Sequence, residues 1–226
     1  MIFTRELYYT LSKMAIELGK NPWLLIGLTI LEILFVLLPA YSFSKIKKIS
    51  IKDAIREMGF QKNDDLFIKT IAGISFGILF YFLGGYLVIF FRNIITRSIF
   101  GSEFIIQAEE GAINTDPATP SFIQIIFLIV LQILIVGPCE EAFFRGFLIK
   151  NIAKKIKLIY SILISSCLFT FFHIPPLLVP LSTIITYFGY YFSLGLLLSL
   201  LFVYFNHSLI PCSIAHSCFN ILILIV

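Results

Sequence analysis

Charge is what this sequence has least of. Only 13% of its 226 residues are Asp, Glu, Lys or Arg, while 59% are hydrophobic. A water-exposed globular domain typically carries about 25% charged residues, so a soluble fold is excluded and lipid must cover most of the surface. The mean hydropathy of +0.98 points the same way. Cysteines are few (Cys139, Cys167, Cys212 and Cys218), and no two are spaced as CxxC. That argues against a thiolate metal site or a disulfide framework and predicts buried free thiols. The chain does not open on a basic stretch, a short apolar run and a small-residue cleavage site, so no removable signal peptide is expected. Net charge is only +4, and the basic residues fall in short clusters between apolar runs. This is a membrane-topology pattern, and no nucleic-acid partner is expected.

What the sequence has in abundance is long apolar runs. A spanning helix needs about 20 predominantly apolar residues, and six segments meet or approach that length: roughly 22–43, 67–91, 121–149, 158–173, 181–205 and 209–226. The predicted fold is all-α, a polytopic transmembrane bundle of about six to eight spanning helices, with 1–226 forming a single integral membrane domain. A count above six requires splitting the third or fifth run. Residues 1–20 place Arg5, Glu6, Lys13 and Glu17 among apolar positions at helical spacing, which predicts an interfacial amphipathic helix. Lys45, Lys47, Lys48, Lys52, Arg56 and Lys62 crowd the 44–66 loop, and Lys150, Lys154, Lys155 and Lys157 crowd 150–157. Positive-inside then puts both loops in the cytoplasm of a cell-membrane protein and the acid-rich 92–120 loop outside. Gly73 and Gly77 form a GxxxG spacing suited to close helix packing.

Against this background the ionisable residues inside apolar runs stand out, because each costs roughly 2.5–3.5 kcal/mol to insert. The third run holds Glu140, Glu141 and Arg145, just after Pro138. Glu141 and Arg145 are four apart and share a face, so they pair. Glu140 is turned about 100° away and is left without that partner. A purely structural Glu–Arg pair explains two of the three residues but not Glu140. Two histidines lie in other runs: His173 with Phe169 a turn before it, and His216 with Asn220 a turn after it. His207 falls between the last two runs and reads as a turn residue. At about 1.5 Å per residue from the basic loops, Glu140 lies about 15 Å deep, His216 about 10 Å, Asn220 about 16 Å and His173 about 24 Å. That is loosely compatible with one cavity opening to the cytoplasmic side.

Read in order, these residues are Glu140-Glu141-x-x-x-Arg145, Phe169-x-x-x-His173 and His216-x-x-x-Asn220. Each motif is short, but the ordered set on three apolar segments resembles the CAAX protease and bacteriocin-processing (ABI) family of intramembrane glutamate proteases. The resemblance covers about 120–226, the motif-bearing protease core. It implies a helical membrane fold and a metal-independent endopeptidase with no cofactor, of the type that cleaves after a lipidated cysteine in prenylated or membrane-associated peptides. It also implies a division of roles. Glu140 and His173 activate a water, His216 and Asn220 hydrogen-bond the developing oxyanion, and Glu141 with Arg145 holds the helix and substrate in place. Other readings stay open from the residues alone: a zinc site without HExxH spacing, a thiol enzyme using Cys139 with His173, a non-catalytic immunity or scaffold protein, and a transporter lacking a visible repeat.

Overall fold

The computed structural model describes residues 20–60, 65–114 and 119–226. The expected amphipathic helix over 1–20 falls almost wholly outside them. The elements are α1 Pro22–Lys47, α2 Ile51–Glu57, α3 Leu66–Phe100, α4 Ser102–Glu110, α5 Phe122–Ile152, α6 Leu158–His173, α7 Leu181–Tyr204 and α8 Leu209–Ile225. The described residues contain no strand ladder, as an all-α bundle requires.

Six of these helices coincide with the six apolar runs. Four of them (α1, α3, α5 and α7) are long and apolar enough to cross a membrane, whereas α6 and α8 have only 16 and 17 residues. The third and fifth runs are not split. Local chemistry accounts for the starts. The Asn21 side chain accepts hydrogen bonds from the N–H groups of Trp23 and Leu24, with Pro22 in the first turn where its missing N–H costs nothing. Ser121 and Gln124 form a reciprocal capping box at the start of α5. Large apolar side chains face outward along the bundle, among them Phe67, Phe82 and Leu134. Such a surface is stable only against lipid.

Successive apolar helices run in alternating directions, so their connections gather at two ends. At the basic end, α2 docks on α5: Lys150 Nζ donates to the Glu57 carbonyl at 3.2 Å, and Lys47 pairs with Glu57. His207 lies at this end in the α7–α8 turn, as expected. Partial burial, and then the nearby Lys150 charge, hold its imidazole below the usual range. At the acidic end α4 is tied down by the Arg92–Glu109 ion pair and by Thr183 Oγ1, which donates to the Ala108 carbonyl at 2.7 Å.

The GxxxG spacing is a packing device. A Cβ on Gly73 would lie 2.7 Å from the Ile214 Cβ, and one on Gly77 would lie 2.6 Å from the Cys218 Cβ, so α3 and α8 touch backbone to backbone. Gly146 is tighter still, since a Cβ there would come within 1.8 Å of the Met58 carbonyl oxygen. Gly27 has open space instead. Gly146→Ala should therefore destabilise the protein by about 1–3 kcal/mol, the usual cost of overpacking. Gly27→Ala should have no such effect. Thermal unfolding of both variants in detergent checks this, and equal stability would contradict the docking of α2 on α5.

Candidate active site

Three helices converge halfway through the bundle, and a fourth closes the group. Glu141 and Arg145 of α5 are wholly buried and paired, with Arg145 Nη1 2.9 Å from Glu141 Oε1. The same oxygen takes a second hydrogen bond, from His216 Nδ1 of α8, at 2.9 Å. Arg145 Nη2 reaches across to α7 and donates to the Gly195 carbonyl at 2.9 Å. That reach depends on Gly195 having no side chain, because a Cβ there would press on Phe169 and Ser166 at 3.1 and 3.3 Å. The guanidinium also lies 4.7 Å above the Phe169 ring, a favourable cation–π placement in a desolvated interior. Phe169 thus acquires a physical role: it is wedged between Arg145 and the rings of His173 and His216, with ring centroids 4.2 and 5.9 Å away.

The hydrogen bonds fix how the two imidazoles face the site. His173 Nδ1 lies 3.0 Å from the Phe169 carbonyl. A carbonyl only accepts, so Nδ1 carries the proton and a neutral ring turns its Nε2 lone pair outward. His216 Nδ1 is bonded to a carboxylate, and its neutral form likewise presents Nε2 as a lone pair. Glu140 Oε2 lies 3.9 Å from His173 Nε2, too far for a direct hydrogen bond. One ligand atom from each of Glu140, His173 and His216 lies within 4.8 Å of the other two. That spacing admits a single small species, either a water or a cation. Asn220 sits one turn beyond His216 and donates from Nδ2 to Gln132 Oε1 at 2.9 Å, which leaves one N–H uncommitted in that pairing.

Helix irregularities allow this convergence. α5 opens into wide π-type turns over Gln132–Val136 and Ala142–Ile149, on either side of the glutamates. Such turns free carbonyls from the regular ladder and often accompany functional sites. Here Gln132 accepts from Ser217 Oγ at 2.7 Å and Phe144 from Ser165 Oγ at 2.6 Å, stitching α5 to α8 and α6. The residue count set His173 deeper than Glu140, but the structure brings the two side chains to one level, with His173 Nε2 3.9 Å from Glu140 Oε2. The 16 residues of α6 span about 24 Å, short of a hydrocarbon core about 30 Å thick, so the helix ends inside the bundle.

Two residues that the motif reading passed over belong to this group. Glu32, midway along α1, lines the same cavity as Glu140 and its carboxyl lies close enough to interact with it, a neighbour that helix geometry alone did not show. The available signal was a lone acid within an apolar run, which is costly to insert. Gln132 is the second, and a single amide in a long helix gives little warning. Cys139 is buried beside Glu32 and Glu140 and, among the described residues, has no hydrogen bond to a histidine. Neighbouring carboxyls are the reverse of the electropositive setting a nucleophilic thiol needs. All four cysteines are free.

Glu140, His173, His216 and Asn220 line one cavity of about 1430 Å³ whose other walls are mainly apolar. It is larger than the roughly 300–1,000 Å³ of an ordinary small-molecule pocket. Its lining follows α1 from Leu25 to Ser42, near the basic end, and also meets loops of the acidic end at Ile113, Pro120 and Pro175.

Residues 122–222, just under half of the chain, match the family model described as Rce1-like type II CAAX prenyl endopeptidase. The match contains all three motifs and begins at α5, leaving out α1–α4. No curated protein and no solved structure matches the chain. Long apolar helices and a membrane-protease family together identify an integral membrane protein.

The buried pair gives a direct test. Removing one partner of a buried ion pair usually costs about 3–5 kcal/mol, so Arg145→Met should lower stability by about that amount. Adding Glu141→Gln should recover part of the loss. A double-mutant cycle from thermal unfolding in detergent measures the coupling, and additive losses would contradict the pairing.

Proposed function

We propose that this chain, Rce1-like over residues 122–222, is an intramembrane endopeptidase that hydrolyses a peptide bond with a water held between Glu140 and His173. The observation that carries the reading is the convergence of Glu140, His173 and His216, from three different helices, on one point in the wall of an apolar cavity.

Each step follows from the placement of these groups. A water between Glu140 Oε2 and His173 Nε2 bridges a gap of 3.9 Å, and Glu140 takes its proton as the oxygen attacks the carbonyl carbon. Positioned proton transfer of this kind contributes about 10²–10⁴-fold. The uncommitted N–H of Asn220 donates to the oxyanion, where one donor is worth about 3–4 kcal/mol, and His216 adds a second donor in the state that carries a proton on Nε2. Glu141 and Arg145 do not touch the reacting atoms and hold His216 and α7 in place. The cavity suits a substrate that arrives with its lipid attached. A prenylated C-terminal peptide cut after the lipidated cysteine is the favoured class, and other membrane-associated peptides follow. The lysine-rich end is assigned to the cytoplasm by positive-inside, with substrate reaching the site along α1 from the side of Ser42. The protease core comprises about 120–226.

A second reading has a specific observation behind it: a carboxylate and two imidazoles, one held from behind by Glu141, are also a donor set for a divalent cation. Cleavage of a fluorogenic farnesylated CaaX peptide by detergent-purified protein separates the two. Wild type should cleave, Glu140→Ala and His173→Ala should each lose about 10²–10⁴-fold, and a chelator should leave the rate unchanged. Chelator-sensitive cleavage would move the assignment to a metallopeptidase. Undiminished cleavage by Glu140→Ala would remove Glu140 as the base. A folded wild type that leaves the peptide intact would remove prenyl peptides as substrate and favour an immunity or scaffold role.

A further inference from the structure

The first apolar helix contributes a carboxyl that no motif claims. Glu32 is the single acid in Pro22–Lys47, it lines the same cavity as Glu140, and the two carboxyls lie close enough to interact. Two ionised carboxylates repel and have no hydrogen to share, so a close pair away from water is stabilised by a proton on one of them. Among the described residues, Glu32 Oε2 and Glu140 Oε2 are both buried without a hydrogen-bond partner. The helix is also irregular at this point. The Glu32 N–H bonds to the Thr29 carbonyl at 3.1 Å and the Ile33 N–H to the Ile30 carbonyl at 3.2 Å, so α1 tightens to three-residue turns between Leu31 and Leu34. Pro39, the one proline in the interior of the helix, lies seven residues further on. Mid-helix tightening often marks a hinge or a functional strain.

The ionisable groups around the pair come from four helices, α5 to α8. From α5 there are Cys139, Glu141 and Arg145, from α6 His173 and from α8 His216, while Tyr190 and Tyr191 of α7 border the cavity. Arg145 is occupied by Glu141 and the Gly195 carbonyl, and among the described residues no cation pairs with Glu32 directly. A carboxyl placed in hydrocarbon merely to pack α1 would be poorly chosen, because an apolar side chain would do so without the insertion cost.

Resting on the peptidase reading, we propose that Glu32 and Glu140 form one carboxyl pair holding a single proton, with Glu32 the residue that positions and neutralises the base. Glu140 touches the water, and Glu32 acts through it. As the water O–H bond breaks, its oxygen bonds to the carbonyl carbon, the carbonyl π electrons move to oxygen, and the proton goes to the pair. When the C–N bond breaks, its electrons stay on nitrogen, which takes one proton from the now doubly protonated pair. The pair returns to one proton, and one water has been consumed.

Two measurements on full-length protein in detergent test this. Infrared spectroscopy at neutral pH should show a neutral-carboxyl band in wild type that is lost or shifted in both Glu32→Gln and Glu140→Gln. With the farnesylated peptide, Glu32→Leu should lower kcat about 10²-fold while KM stays within about threefold, the mark of an interaction made in the transition state. Glu32→Asp should restore part of kcat. A folded Glu32→Leu with wild-type kcat, or a carboxyl band unchanged in Glu32→Gln, would overturn the pair. If wild type cleaves nothing, the peptidase reading fails separately and the infrared result alone decides the pair.

Discussion

A carboxylate oxygen in the middle of a lipid-clad bundle must be answered by donors, and Glu141 Oε1 is answered by two. Arg145 reaches it along α5 and His216 from α8, each at 2.9 Å. Through Arg145 the same contact extends to the α7 backbone, and through the face of Phe169 to α6. With water excluded, none of these groups can be released cheaply, so four helices are held in one register. The functional placement follows from that register. With one side of His216 held, its Nε2 is presented; with Phe169 wedged beneath the guanidinium, His173 is turned toward Glu140.

The cavity is the second consequence. α6 is too short to cross the hydrocarbon and ends at the level of Glu140, while α5 bypasses the regular helical ladder with two stretches of π-type turns. The space left beside these irregular segments is closed by α1 rather than by another regular packing surface. A peptide bond held there would meet Glu140 and His173 in surroundings that are apolar except at the reacting groups. Water would thereby be restricted to the place where the proposed chemistry uses it, and nearby dipoles would act with little screening. The same apolar walls suit a lipid-bearing substrate, which connects the proposed chemistry to the family match over residues 122–222.

Much of the fold could be read from the sequence because a bilayer imposes a length on apolar runs. The six segments coincide with six helices, and Gly73 and Gly77 pack as their spacing suggests. The motif residues Glu140, His173, His216 and Asn220 were identifiable because ionisable and amide groups inside such runs are costly. What sequence spacing could not supply was the third dimension. Counting residues from the basic loops put His173 well beyond Glu140, because a count along each helix records neither its tilt nor where neighbouring helices cross. The Glu32–Glu140 contact joins residues more than a hundred positions apart on different helices, and helical periodicity carries no record of such a pairing. Gln132 was hidden for the same reason: its partner Asn220 lies in the last helix.

The central claim is that Glu140 acts as a base toward water and not as a nucleophile itself. It is tested most directly by a single turnover in heavy-oxygen water, with enzyme in excess over the farnesylated peptide and mass spectrometry of both product and protein. The account predicts heavy oxygen in the new carboxylate of the product and none in the Glu140 side chain. Label appearing in Glu140, with an unlabelled product, would show that the glutamate attacks the substrate and would contradict it.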